Sequence, residues 1–403
     1  MKNNIFKLTI SQLKEIALLL QSRIETGLRE DNTEIQCIPT YVYPTEKPLE
    51  GEALVLDLGG TNYRVAVVEF TPEEPVIHPN DGWKKDLSIM KQDGYTRTEL
   101  FKELTDPICA TKHDNIMPIG YCFSYPAESL PGGDARLLRW TKGVNIQEMI
   151  GQPIGQPLLA ELNAHCSNRF SGIRVINDTV ASLFAGLTDR SYDAYIGLIV
   201  GTGTNMATFI RSDKISKLPE EQKRQQNLVP VNLESGNFHP PYLTLIDDTV
   251  DAFSDSKGRQ RFEKAVSGMY LGDILKAVFP FNEFEEKFDA QKLTTIMSYP
   301  DLHKRKYVQV ARWIYKRSAQ LVAASLAGLI SLLVSHDPDI KRVCLIAEGS
   351  LFWSENRKGK NYQQIVMKEL QTILSGLGIH EVEVHIKQMD NANLIGTAIA
   401  AKS

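Results

Sequence analysis

Cysteine is sparse and unpatterned. Only five occur in 403 residues, at positions 37, 109, 122, 166 and 344. None has C-x-x-C spacing or a companion His cluster, which argues against a zinc ribbon or a disulfide scaffold. Apolar neighbours, as in Tyr121-Cys122-Phe123 and Val343-Cys344-Leu345, predict buried thiols in a reducing compartment. Charge of one sign is also lacking: 45 Lys and Arg stand against 49 Asp and Glu, a formal net charge of -4. That balance disfavours nucleic acid or an anionic membrane as the main partner. No long clean hydrophobic run is present, because residues 319–335 are interrupted by Gln320, Ser325 and Ser331. A buried helix is expected there rather than a membrane span. The N-terminus has Lys2 and Lys7 but no unbroken apolar core, so secretion is not expected and the chain is read as cytoplasmic. Neither GxxxxGK[ST] nor a Rossmann glycine fingerprint occurs, which excludes the two commonest phosphate loops.

What remains is an ordinary globular composition, 42% hydrophobic and 23% charged, long enough for two domains. Ser11 precedes an apolar stripe of Leu13, Ile16, Ala17, Leu20 and Ile24 that predicts an amphipathic helix ending near Gly27. Pro39, Pro44 and Pro48 punctuate an extended connector, and residues 52–70 read as two strands around a Gly-Gly turn. Strand-like runs recur at 119–124, 174–176, 195–200, 206–210, 342–346 and 381–386, with helical segments between several of them. The fold class this predicts is α/β with mixed sheets. Ala53-Leu-Val-Leu-Asp-Leu-Gly-Gly-Thr-Asn62 and Ile196-Gly-Leu-Ile-Val-Gly-Thr-Gly-Thr-Asn205 look alike, and are read as matching turns of two similar half-domains.

Asp57-Leu-Gly-Gly-Thr-Asn62 sets a carboxylate at a strand end, followed by glycines that let the backbone approach an anion; a plain hairpin would look the same. Gly201-Thr-Gly-Thr204 supplies a second such turn. Asp178, in Asn177-Asp-Thr179, sits between a strand and a helix, where it is either a helix cap or a general base for a substrate hydroxyl. Lys142, Glu234 and Glu263 read singly as solvated surface charges. Gly349-Ser350 follows an apolar strand, at the strand-end position where α/β proteins bind ligands.

Together these segments resemble the hexokinase family, in the family's order and over most of the chain. The likeness runs through Pro39-Thr-Tyr-Val42, Leu56-Asp-Leu-Gly-Gly-Thr-Asn-Tyr-Arg-Val65, Phe123-Ser-Tyr-Pro126, Trp140-Thr-Lys-Gly143 and Asn177-Asp-Thr-Val180. It continues through Gly197-Leu-Ile-Val-Gly-Thr-Gly-Thr-Asn205 and Phe262-Glu-Lys-Ala-Val-Ser-Gly-Met-Tyr-Leu-Gly272. The resemblance implies a two-domain actin-like ATPase fold of ribonuclease H-like duplicated domains with a central cleft. Residues 51–178 plus 389–403 would form the small domain, and 1–50 plus 179–388 the large one. It implies that Ser124, Thr141, Lys142, Asn177, Asp178, Asn205, Glu234 and Glu263 surround a hexose, glucose foremost. Asp57, Gly60, Thr61, Asn62 and Arg64 would meet the phosphates of ATP with Mg²⁺ from one side. Gly201, Thr202 and Gly203 would meet them from the other, with Gly349 and Ser350 on the adenosine side. Asp178 would be the base and Lys142 its catalytic companion in transfer to the 6-hydroxyl. No nucleic acid or membrane partner is expected, and the chain would be a monomer or homodimer.

Four departures from the family pattern stand out beside these matches. Asn-Asp-Thr-Val-Gly-Thr becomes Asn177-Asp-Thr-Val-Ala-Ser182, and Asp-Gly-Ser becomes Glu348-Gly-Ser350. The C-terminal Ser-Gly-Lys-Gly-Ala-Ala is replaced by Asn391-Ala-Asn-Leu-Ile-Gly-Thr397. Glu234-Ser-Gly-Asn-Phe238 also stands where the family has Glu-Trp-Gly-Ala-Phe. Two other readings compete with an active kinase: a catalytically silent sugar-binding regulator of the same fold, and an ATPase or assembly protein of the wider actin-like group.

Overall fold

A computed structural model describes residues 4–59, 62–78, 83–110, 115–141, 143–167, 169–225, 228–280, 284 and 288–403. Its frame is one five-strand motif built twice. The first copy comprises β1 (Gly51–Leu58), β2 (Asn62–Phe70), β3 (Pro75–Ile77), β4 (Met117–Phe123) and β5 (Phe170–Ile176). The second comprises β6 (Ala194–Val200), β7 (Thr204–Arg211), β8 (Leu228–Asn232), β9 (Arg342–Glu348) and β10 (Glu383–Lys387).

The spatial order is β3-β2-β1-β4-β5 in one sheet and β8-β7-β6-β9-β10 in the other, with Ile38–Pro39 added at the outer edge of β8. In each, the first three strands in sequence pair antiparallel and the last two join parallel. The two look-alike sequence passages are the β1–β2 and β6–β7 hairpins, so the expected correspondence of half-domains is realised in the strand order.

The helices complete five layers. α1 (Ile10–Arg29) and the long α6 (Arg305–His336) cover the outer face of the second sheet. α2 (Arg97–Ala110) and α3 (Gly155–His165) cover the outer face of the first. Between the sheets lie α4 (Asp178–Ala185) and α7 (Ala392–Lys402).

The two central helices are exchanged. α4 follows the last strand of the first sheet yet packs on the second, and α7 follows the last strand of the second yet packs on the first. Contact is close enough to demand glycine: a Cβ at Gly197 would stand 2.5 Å from the Thr179 carbonyl oxygen, and one at Gly396 would stand 1.8 Å from that of Ala181.

The sequence-level outlines hold with shifted ends. α1 starts at Ile10 because Thr9 and Gln12 form the capping box, which puts the cap two residues earlier than Ser11 suggests. α6 is long and apolar enough to span a membrane, but 83% of its most hydrophobic window is buried inside the protein, as a core helix requires. The absence of any disulfide is corrected. Cys109, at the end of α2, is bonded to Cys166, the residue that caps α3. Their separation of 57 residues carries no recognisable spacing, and only the packing of α2 beside α3 brings the pair together. Cys37, Cys122 and Cys344 are free and buried.

Candidate active site

Strand periodicity places the first carboxylates. Along β1, Leu54, Leu56 and Leu58 face the outer core while Ala53 and Val55 face the central helices, so Asp57 emerges on the central side at the strand's end. The same alternation turns Glu348 of β9, after Cys344 and Ile346, and Asn205 of β7, before Ala207 and Phe209, toward that layer. α4 begins in the same place. The strand ends and the start of α4 therefore meet between the two sheets.

Asp57 is buried and lies opposite Arg64 in the β1–β2 register, where the guanidinium donates from Nε at 2.9 Å and again from Nη2 to the same oxygen. Gly59 closes the turn by donating its N–H to the Asn62 carbonyl at 2.9 Å. Gly60, Thr61 and Lys142 lie outside the described residues. On the second sheet, a Cβ on Gly201 would stand 3.2 Å from Gly349 Cα, so the turn at 201–203 and the Gly349-Ser350 turn lean on each other. Thr202 and Ser350 are exposed at their tips. The two strands beneath run parallel with Ile199 beside Glu348.

Asn177 is the cap of α4, accepting from Thr179 N–H at 2.9 Å, which leaves Asp178 as the first helical residue. Asp178 Oδ1 accepts from the same N–H at 2.8 Å and stays half-buried. The capping function that competed for Asp178 in the sequence thus falls chiefly to its neighbour.

The polar cluster on the second sheet is continuous. Asn205 Nδ2 donates to Asn232 Oδ1 at 2.7 Å, and Asn232 Nδ2 donates to Glu234 Oε1 at 2.7 Å. Ser235 N–H reaches Asn205 Oδ1 at 3.1 Å. Glu234 itself has a left-handed backbone, φ 57°, at the turn that aims it. Glu263 accepts from Thr204 N–H at 3.0 Å and stands on the short helix α5 (Arg261–Val266). α5 is pinned from below by buried Lys264 and Arg261, at 2.6 and 3.0 Å from Asp251.

Burial and neighbouring charges set the proton affinities of these groups. Burial pushes the Glu234 carboxyl above its ordinary range; the Asn232 bond opposes this, and the Asp178 charge adds to it. Burial also pushes Glu348 up, opposed by the Ser182 bond and reinforced by the Asp178 and Asp57 charges. The buried Cys122 thiol, beside Asp57 in register, is raised by burial and then by Asp57, Asp178 and Glu348. Asp178 is the common member, acting on the Glu234 side and the Glu348 side alike.

On the first sheet, Ser124 N–H bonds the Leu58 carbonyl at 3.2 Å, tying it to the end of β1. Thr141 follows Trp140, whose ring packs edge-on against Tyr125 at 4.8 Å and whose Nε1 holds the Ile146 carbonyl at 2.9 Å. Asn232, Ser182 and Asn393 belong to these networks and are not among the site residues expected from the sequence. Only the position of Asn232 two residues before Glu234, at a strand end, hinted at it. A cavity of about 490 Å³ beside Tyr192, Tyr195 and His336 opens at the opposite ends of the strands and takes no part in this cluster.

The duplicated sheets, the exchanged helices and the polar cluster between strand ends define a two-domain actin-like ATPase fold. Family profiles described as Hexokinase match residues 3–188, and residues 195–280 and 280–403. The chain belongs to the hexokinase family. Hexokinase-7 of Oryza sativa subsp. japonica is 28% identical over 395 residues, covering 85% of this chain and 84% of that protein. Hexokinase-1 of the same organism is 33% identical over 294 residues, 66% of this chain and 56% of its own length. Among solved structures, the hexokinase of Schistosoma mansoni complexed with glucose superposes with a TM-score of 0.79 at 25% identity, covering 99% of this chain and 97% of that one.

Proposed function

We propose that this chain is an ATP-dependent hexokinase that phosphorylates the 6-hydroxyl of glucose and related hexoses, with Asp178 as general base. The observation that carries the reading is the place of Asp178. It heads α4 between the two sheets, one turn above Ser182, whose hydroxyl is 2.5 Å from Glu348 beside the Gly349 and Gly201 turns, and its charge adds to the upward push on both Glu348 and Glu234. A base for phosphoryl transfer must touch the acceptor hydroxyl and face the γ-phosphorus at once.

In the proposed reaction, Asn205, Glu234, Glu263, Asn177, Ser124 and Thr141 bind the sugar hydroxyls. The Asp178 carboxylate takes the proton of the 6-hydroxyl while that oxygen attacks the γ-phosphorus and the bond to the ADP oxygen breaks. Thr202 and the amides at 201–203 hold phosphate oxygens from the second sheet, and Asn62 and Arg64 approach from the first. Lys142 offsets charge at the acceptor. Mg²⁺ enters as part of the nucleotide substrate and neutralises its β- and γ-oxygens. Asp57, buried at the end of β1 and braced by Arg64, suits a place facing that ion.

Residues 51–178 with 389–403, and 1–50 with 179–388, are taken as the small and large domains that close on the sugar and exclude water, itself a competent acceptor. The test is ADP release from ATP with Mg²⁺ across glucose, mannose, fructose, glucosamine and N-acetylated sugars. Sugar-dependent release supports the assignment. Glucose binding without ADP release would identify a silent regulator instead, and sugar-independent hydrolysis an ATPase.

A further inference from the structure

Three of the four departures from the family pattern, at 182, 348 and 391–397, are far apart in sequence, yet one residue from each meets at a single point. Ser182, one turn below Asp178 on α4, has its hydroxyl 2.5 Å from Glu348 Oε1 and 3.2 Å from the Asp178 carbonyl oxygen. A hydroxyl has one proton, and the shorter contact takes it. The Asp178 carbonyl, already an acceptor in the helical ladder of α4, keeps a second lone pair open to another donor. The Asn393 amide nitrogen, turned toward its acceptors, stands 3.3 Å from that carbonyl and 2.9 Å from the same Glu348 oxygen. One carboxylate oxygen thus gathers a donor from α4 and a donor from α7.

A carboxylate in this place is costly. Glu348 is largely buried and is faced by Asp178 of α4 and Asp57 of β1, with Arg64 of β2 the cation opposing them. Its own burial outweighs the Ser182 bond in setting its proton affinity. A group that burial and two like charges both disfavour is poorly explained as a device for stability alone.

We propose that Glu348 is a positioning residue for Asp178. By holding Ser182 and Asn393 on one oxygen, it fixes the first turn of α4 against α7 and so sets the aim of the carboxylate at the head of that turn. The inference rests on Asp178 being the base, and it concerns residues by which this chain differs from the family pattern.

Three variants test it: Glu348→Ala, which removes the acceptor; Glu348→Gln, which keeps an acceptor oxygen without the charge; and the pair Ser182→Ala with Asn393→Ala. Misplacing a catalytic group by about 1 Å costs on the order of 100-fold in rate. Glu348→Ala is therefore expected to lower kcat about 10- to 100-fold with the KM for glucose within about twofold. Glu348→Gln should recover most of that loss. The Ser182/Asn393 double variant should match Glu348→Ala, and combining all three should cost little more. Amide exchange across residues 179–183 should quicken in Glu348→Ala and the double variant and return to wild type in Glu348→Gln.

Equal loss in Gln and Ala, additive losses, or unchanged exchange would each overturn the positioning role. If the wild type releases no ADP with any sugar, the kinase reading fails. Amide exchange, which needs no turnover, still decides whether Glu348 fixes the turn. Should Glu348→Ala not fold, the Gln and double variants carry the same comparison.

Discussion

Replacing Asp178 by Asn separates chemistry from structure at the centre of the site. The structural change is small. Asn retains an oxygen to accept from Thr179 N–H, now held at 2.8 Å, and the Asn177 cap is untouched. An acidic residue in the first turn contributes about 0.3–1 kcal/mol through the helix dipole, which the variant loses. Against this, its charge is one of the causes that raise Glu234 and Glu348, and removing it relieves both.

The two effects oppose, so global stability should move by no more than about 1 kcal/mol. Loss of a general base costs about 10²- to 10⁴-fold in rate, or roughly 3–5 kcal/mol of transition-state stabilisation. Coupled measurement of ADP release should show that fall in kcat, while calorimetric glucose binding and the urea midpoint stay near wild type. Titration of the side-chain carboxyls by NMR should show Glu234 and Glu348 shifting downward. A kcat within tenfold of wild type, or activity lost only in proportion to unfolded protein, would refute Asp178 as the base.

Asn232→Ala removes the link between Asn205 and Glu234; hydrogen bonds to charged groups contribute about 1.5–3 kcal/mol, so the KM for glucose should rise about 10- to 100-fold in steady-state kinetics. Arg317 and Asp247 form a buried pair with two contacts of 2.7 Å, and Arg317→Met leaves the carboxylate unpaired, which should cost about 3–5 kcal/mol in urea unfolding. Although burial opposes ionisation of Asp247, the Arg317 charge and its bonds prevail and hold this carboxyl below its ordinary value of 3.8. The stabilisation is therefore present above that pH and lost as pH falls through the depressed value, and Asp247→Asn should unfold with a shallower acid dependence. Gly396→Ala brings a Cβ to 1.8 Å from the Ala181 carbonyl oxygen, so it should destabilise by about 1–3 kcal/mol in thermal melts and lower kcat by displacing α4.

Much of this was legible because backbone chemistry is local. The apolar alternation of β1 and β6 and the glycines after them marked both hairpins, and the Asn-Asp-Thr triplet marked the head of α4. The exchange of α4 and α7 between sheets was not legible, because nothing in either helix's pattern tells which sheet it covers. The Cys109–Cys166 bond escaped for the same reason, as did the union of Ser182, Glu348 and Asn393. Each depends on where a helix lands after a long connection. Glu234 and Glu263 read as surface charges because much of what surrounds them is remote in sequence: Thr204 and Gly203 lie 59 and 60 residues before Glu263, and Asn205, joined to Glu234 through Asn232, lies 29 residues before it.

The exchanged helices also bear on how closure and chemistry could be joined. α4 leaves the last strand of the first sheet and lies on the second, so its first residue stands where the two sheets face each other. A base mounted within either sheet alone would keep its surroundings when the sheets move together. Asp178 cannot, because it is fixed to both: through Ile176 and Asn177 to β5, and through the Thr179 carbonyl packed over Gly197 to β6. A rotation of one sheet against the other would act on the first turn of α4 as it would on the start of α7, and a small change of angle at α4 would re-aim the carboxylate. Sugar binding that draws the sheets together would then orient the base in the same motion that expels water, with no separate switch required.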